Sequence, residues 1–162
     1  MSDNLPIFLM LIGIAGSGKS YWAQNNVLKD KFVIVSSDNL RRALTGDVSD
    51  LRKDKEMWRL AKKMVIETLS TGKNVILDAT NVNGYYRRQF IKDLPPCRLQ
   101  AKLFPLDLEQ AQKRVKEDIK NEVDRSHVPM HIIEDMHRQF ESYCTPKLLQ
   151  KEGFEIIEDF EP

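Results

Sequence analysis

An uninterrupted apolar run, Ile7 to Ile12, leads directly into Gly13-Ile14-Ala15-Gly16-Ser17-Gly18-Lys19-Ser20. No other feature of the chain restricts its fold as much. An apolar stretch of this kind is the mark of a strand buried on both faces. The residues from Lys19 to about Leu28 carry a helix signal, so the pattern G-x-x-x-x-G-K-[ST] sits between a strand and a helix. That context gives the motif its physical meaning. Glycines let the backbone wrap closely around an anion where side chains would collide, and successive N–H groups then point inward. The helix that follows adds its positive N-terminal end.

The remaining strand and helix signals alternate. Phe32 to Val35, Val75 to Leu77, Leu99 to Phe104 and Phe154 to Ile157 read as strands. Asp38, a good N-cap residue, opens a helix. Apolar residues at Met57, Leu60, Ala61, Met64, Val65 and Leu69 have helical spacing, with Gly72 as the terminating residue. Further helices are expected around Tyr85 to Leu94, from Leu108 to Ile119, and after Pro129, the last burying Ile133, Met136 and Phe140. This order predicts an α/β fold, a parallel sheet flanked by helices. The 162 residues read as one domain, with a charged segment at roughly 113–130 as a mobile lid.

Composition excludes several classes of function. The net charge of +1 is far from that of a protein that coats duplex nucleic acid. No apolar run approaches the roughly 20 residues that span a bilayer, and no signal-peptide pattern is present. The two cysteines, Cys97 and Cys144, form no metal or disulfide pattern. A cytoplasmic protein without membrane partners is expected.

The glycine-rich segment is thus a candidate triphosphate cradle, with ATP as the expected ligand and Mg2+ as its companion. Gly13, Ala15, Gly16, Ser17 and Gly18 would supply backbone contacts. Lys19 would supply a cation to the β- and γ-phosphates, and Ser20 a hydroxyl to the metal. In a parallel sheet ligands gather at the carboxyl ends of strands. There the second strand presents Asp38 and, one helical turn on, Arg41. The carboxylate can take the proton of an attacking hydroxyl, and the guanidinium can hold an acceptor phosphate. The alternative is a capping aspartate and a solvated arginine, and both roles can coexist for Asp38. The third strand presents Asp78, Thr80 and Asn81. This is either a metal-supporting Walker B aspartate with hydrogen-bonding neighbours or an Asx-type turn. Arg114 and Arg125 flank the lid segment and could close over phosphates, against the plainer reading of a solvated helical face. Trp58 reads as packing, and Tyr85 and Tyr86 lie near the acceptor edge.

Taken in order, Gly13 to Ser20, Ser37-Asp38 with Arg41, Asp78-Ala79-Thr80-Asn81, and Arg125 to Pro129 resemble the kinase domain of the 5′-hydroxyl polynucleotide kinases. Arg138-Gln139-Phe140-Glu141 and Glu152-Gly153-Phe154 resemble the animal members in particular. The resemblance implies a P-loop kinase fold with a five-stranded parallel core, and transfer of the γ-phosphate of ATP to a nucleic-acid 5′ end. It implies that Asp38 is the general base, that Arg41 contacts the acceptor phosphate as in the phage members, and that Arg125 belongs to the lid. It also implies that Asp78 and Asn81 help hold the closed site. The phosphatase signature D-x-D-G-T, present in the animal members, is absent from this sequence. A kinase for a small-molecule hydroxyl on the same scaffold is the alternative, and a non-catalytic nucleotide-binding module a third reading.

Overall fold

The computed structural model describes residues 4–26, 31–123 and 128–158. Five strands form one sheet: β1 (Ile7–Ile12), β2 (Phe32–Ser36), β3 (Asn74–Asp78), β4 (Arg98–Leu103) and β5 (Glu155–Ile156). Their spatial order is β2-β3-β1-β4-β5, and every neighbouring pair is parallel. The helices are α1 (Lys19–Asn26), α2 (Ser37–Thr45), α3 (Asp54–Ser70), α4 (Gly84–Ile91), α5 (Leu108–Lys120), α6 (Met130–Tyr143) and α7 (Pro146–Lys151).

The central strand explains why the sheet is covered on both sides. Phe8 to Ile12 are each 0% exposed. Because side chains alternate along a strand, Phe8, Met10 and Ile12 enter one core while Leu9 and Leu11 enter another. The first core also takes Met57, Ala61, Val65 and Leu69, the apolar stripe of α3. The second takes Ala23 of α1 and Ile76 of β3. Each fully buried Leu or Ile contributes roughly 1.5–3 kcal/mol relative to exposure, so β1 anchors both layers. Trp58 packs edge-on against Phe90 at a ring distance of 6.2 Å, the packing role read from its spacing.

Local chemistry sets the element ends. The Ser36 hydroxyl caps α2 by accepting from the Asn39 N–H, and Gly46 closes that helix with a φ of 80°. Asp38 therefore lies in the first turn of α2 and is not its cap, a correction to the sequence reading. A hydroxyl on the last residue of β2 takes the capping role and frees the Asp38 carboxylate. The helix after Phe90 stops at Ile91, short of Leu94, and Asp93 turns the chain with a φ of 67°. Pro129 occupies the N-cap of α6, one residue outside the helix. Helix α7, capped by Thr145, has no counterpart among the helices predicted from sequence. Lys116 to Lys120, part of the segment read as mobile, continue α5. Arg125 lies outside the described residues.

Two contacts hold the ends of this framework. Gly13 follows β1 where a Cβ would come within 2.6 Å of the Ser17 hydroxyl and 2.9 Å of the Phe104 Cβ. On the far side, Arg87 of α4 is buried and grips Glu152 with two bonds of 3.1 and 2.9 Å. It also donates to the carbonyls of Asn81 and Tyr143 and to the Cys144 sulfur. The guanidinium thus ties α4 to the turn after β3 and to the α6–α7 region. Burial pushes the Cys144 thiol up to about 11, although the nearby guanidinium draws it down, so the group stays neutral at pH 7.

Arg87→Ala strands a buried carboxylate, and urea denaturation is expected to show a loss of about 3–5 kcal/mol. Gly13→Ala forces Phe104 away from the loop, with an expected cost of about 1–3 kcal/mol in the same assay.

Candidate active site

The C-terminal ends of β1, β2 and β3 converge, and the polar residues read from the sequence gather there. The register sets Ser36 of β2 beside Asp78 of β3. The loop after β1 is sewn to the loop after β3 by the Gly13 N–H, which donates to the Thr80 carbonyl at 3.0 Å. Asn81 adopts a φ of 55°, a left-handed conformation that asparagine tolerates better than most residues. There its amide donates to the Leu11 carbonyl at 2.7 Å and the Ala79 carbonyl at 3.2 Å. Thr80 through its carbonyl and Asn81 through its side chain therefore brace the cradle from beneath.

The cradle itself is held from within and behind. Gly16 and Gly18 have φ values of 83° and 95°, which side chains rarely adopt. The Lys19 ammonium is buried and donates to the Ile14 carbonyl at 3.0 Å and to the Ser17 hydroxyl at 3.3 Å. It therefore sits inside the loop it is expected to serve. Helix α5 closes the back. A Cβ on Gly16 would lie 3.2 Å from the Ala111 carbonyl, and Arg114 donates to the Gly16 carbonyl at 3.0 Å. Arg114, although exposed, is thus joined to the loop.

The site fits a nucleotide and a divalent cation. A Cβ on Gly18 would meet nothing within 4 Å, so one wall of the loop is open to a ligand. The Ser20 hydroxyl donates to Asp78 at 2.7 Å, which brings two hard oxygen donors together. Mg2+ favours a site of this kind, since it takes one or two protein oxygens and completes its shell with water and phosphate. Among the described residues no cluster of His, Cys, Asp or Glu suggests a different metal.

Beyond the end of β2, Asp38 and Arg41 are joined at 3.0 Å. The Asp38 side chain is 40% exposed, while that of Arg41 is 9% exposed. Arg41 is turned inward and held by Asp54, the first residue of α3, with bonds of 2.8 and 2.9 Å. Its pKa is raised, chiefly by the hydrogen bonds to Asp54. The reading of Arg41 as a solvated surface charge is thus excluded. Asp54 escaped the sequence reading because it lies 13 residues from Arg41, at no spacing that betrays a pair. Tyr85 and Tyr86 are both exposed, in contact edge to face.

Comparison with known proteins agrees with this architecture. A family model described as the AAA domain matches residues 8–143. No curated protein matches the chain. A chain of the Pnkp1/Rnl/Hen1 RNA repair complex is 24% identical with a TM-score of 0.73, covering 91% of this chain and 46% of that one. A chain of a second Pnkp1/Rnl/Hen1 complex is 28% identical with a TM-score of 0.56, covering 68% and 39%. The protein described here spans less than half the length of either. Shikimate kinase from Acinetobacter baumannii, in complex with shikimate, is 16% identical with a TM-score of 0.54, covering 98% of this chain and 86% of its own. No helix among the described residues is long and apolar enough to cross a membrane. With its phosphate loop, its β2-β3-β1-β4-β5 parallel sheet and a family match across most of its length, this chain belongs to the AAA domain family and has a P-loop kinase fold.

Proposed function

We propose that the chain transfers the γ-phosphate of ATP to a 5′-hydroxyl end of DNA or RNA, with Asp38 as the general base. The observation that carries this reading is the pairing of Asp38 with Arg41 at the end of β2, beside the strand that bears Asp78. A nucleotide-binding module needs a cradle but no half-exposed carboxylate fixed next to it. The likeness to a chain of an RNA repair complex over 91% of this sequence supports a nucleic-acid acceptor.

In this mechanism the loop from Gly13 to Gly18 holds the triphosphate through backbone N–H groups. Lys19 turns from the Ile14 carbonyl toward the phosphates. Ser20 and Asp78 would hold the metal, which when bound would neutralise phosphate charge. Asp38 accepts the proton of the acceptor hydroxyl as that oxygen bonds the γ-phosphorus. The bond from the γ-phosphorus to the bridging oxygen breaks, and its electron pair leaves with ADP. Phosphoryl transfer asks the protein mainly for position and charge compensation, and Arg114 on the Gly16 carbonyl adds positive charge at the loop. Arg125 is assigned to the lid, as the resemblance implies.

A small-molecule acceptor is the second reading. The net charge of +1 favours it, since an extended polyanion is usually met by a surplus of Lys and Arg. Incubation with γ-labelled ATP and Mg2+ separates the two, with 5′-hydroxyl DNA and RNA oligonucleotides set against a panel of sugars and nucleosides. Labelled oligonucleotide is expected. Label in a sugar or nucleoside alone would overturn the acceptor assignment and leave the kinase assignment standing. Omitting the metal, with EDTA present, is expected to abolish transfer.

A further inference from the structure

We infer that Arg87 and Glu152 are positioning residues for the ATP cradle and act on it through Asn81. This role rests on the ATP-binding half of the proposed function and not on the choice of acceptor. The Arg87 side chain is 1% exposed, and every N–H of its guanidinium has an acceptor. Nε and Nη2 donate to the two Glu152 oxygens at 3.1 and 2.9 Å. Nη2 also donates to the Tyr143 carbonyl at 2.8 Å. Nη1 donates to the Asn81 carbonyl at 2.9 Å and to the Cys144 sulfur at 3.3 Å. An apolar pair of similar volume would fill this space without the cost of desolvating two charges. What the charges add is direction. The bonds leave the guanidinium a single orientation, and one of them ends on the turn after β3.

That turn is where the cradle is attached. Asn81 stands at a φ of 55°, a conformation that costs energy and persists where the surroundings hold it. Arg87 holds its carbonyl, and the Cys144 thiol holds the next one, that of Val82, at 3.4 Å. With its backbone so fixed, the Asn81 amide reaches the Leu11 carbonyl at 2.7 Å, just ahead of Gly13. The Thr80 carbonyl takes the Gly13 N–H at 3.0 Å, and Asp78 takes the Ser20 hydroxyl at 2.7 Å. Residues 78–81 thus touch the cradle at its entry and at the serine expected to meet the metal. Loss of the Arg87 bond lets the Asn81 peptide relax toward an ordinary φ. That movement swings the amide off Leu11 and loosens the entry of the loop. The expected consequence is weaker binding of Mg·ATP, by more than the loss of core stability explains.

The test measures Mg·ATP affinity by calorimetry beside urea denaturation of the full chain. Arg87→Met combined with Glu152→Leu removes both charges together. Arg87→Lys keeps a charge by Glu152, but its ammonium lacks the planar fork that also serves Asn81 and Tyr143. Leu149→Ala is the control, a core residue of α7 that is 0% exposed and whose apolar side chain lies outside this line of bonds. The paired replacement strands no charge, so its urea midpoint should lie closer to wild type than that of Arg87→Ala. Its Kd for Mg·ATP, and that of Arg87→Lys, are expected to rise by about tenfold or more. Exchange of the Gly13 amide hydrogen should quicken in both, while that of Met10 inside β1 does not. Leu149→Ala should lower the midpoint by opening a cavity and leave the Kd within about twofold of wild type. Wild-type Mg·ATP affinity in both Arg87 variants would overturn the inference. A loss in Leu149→Ala as large as theirs would do the same, because stability alone would then explain it. Should the paired replacement not fold, the comparison of Arg87→Lys with Leu149→Ala decides. Wild type that binds no Mg·ATP would overturn the cradle assignment itself, and this role with it.

Discussion

The hydrogen bond from the Gly13 N–H to the Thr80 carbonyl is the contact on which the site depends. It joins the end of the most deeply buried strand to the turn after its neighbour, just where the chain must leave the sheet and curl back. Gly13 permits it because a side chain there would collide with Phe104 and Ser17. Asn81 secures the same junction from the other side by donating to the Leu11 carbonyl. Asn81 is in turn held by its own carbonyl, which accepts from the buried Arg87. A line of polar contacts thus runs from the cradle, through the turn after β3, to the pair Arg87–Glu152 on the far flank of the sheet. The apolar core supplies the bulk of the stability, and this line fixes where the loop sits.

Among the described residues, charge is buried only where it is matched. Lys19, Arg41, Asp78 and Arg87 are all buried, and each has a hydrogen-bond partner. Desolvating a charge costs several kcal/mol unless partners compensate, so these residues gain position at some expense of stability. The contrast with Asp38 is instructive. Its carboxylate is left partly in solvent and bound at one oxygen, an arrangement that suits the proposed role of a group that gains and loses a proton. The buried pairs provide rigidity, and Asp38 is the exposed member of its pair with Arg41.

Much of this was legible in the sequence, for identifiable reasons. All five strands are apolar runs or alternations bounded by turn residues, and their parallel order follows from the intervening helices. The motif from Gly13 to Ser20 states its own geometry, and the aspartate that ends β3 is legible from its position at a strand end. Other features were not legible because they depend on partners distant in sequence. Asp38 had the propensity of a cap, but Ser36 was closer to the right place and took it. Arg41 had the look of a surface charge, but Asp54, on another helix, holds it inward. Arg87 occupies a position in α4 where periodicity alone predicts nothing about burial. Propensity and spacing report on the chain's neighbours in sequence, whereas these three outcomes were set by neighbours in space.

The proposed division of labour gives ATP binding to the cradle and phosphoryl transfer to Asp38, and one paired measurement tests it directly. ATP affinity by calorimetry and single-turnover transfer are measured together for wild type, Lys19→Ala and Asp38→Asn. Lys19→Ala is expected to weaken ATP binding and transfer alike. Asp38→Asn is expected to bind ATP as the wild type does while losing about 10²–10⁴-fold in transfer. Undiminished transfer in Asp38→Asn, or undiminished ATP binding and turnover in Lys19→Ala, would contradict it.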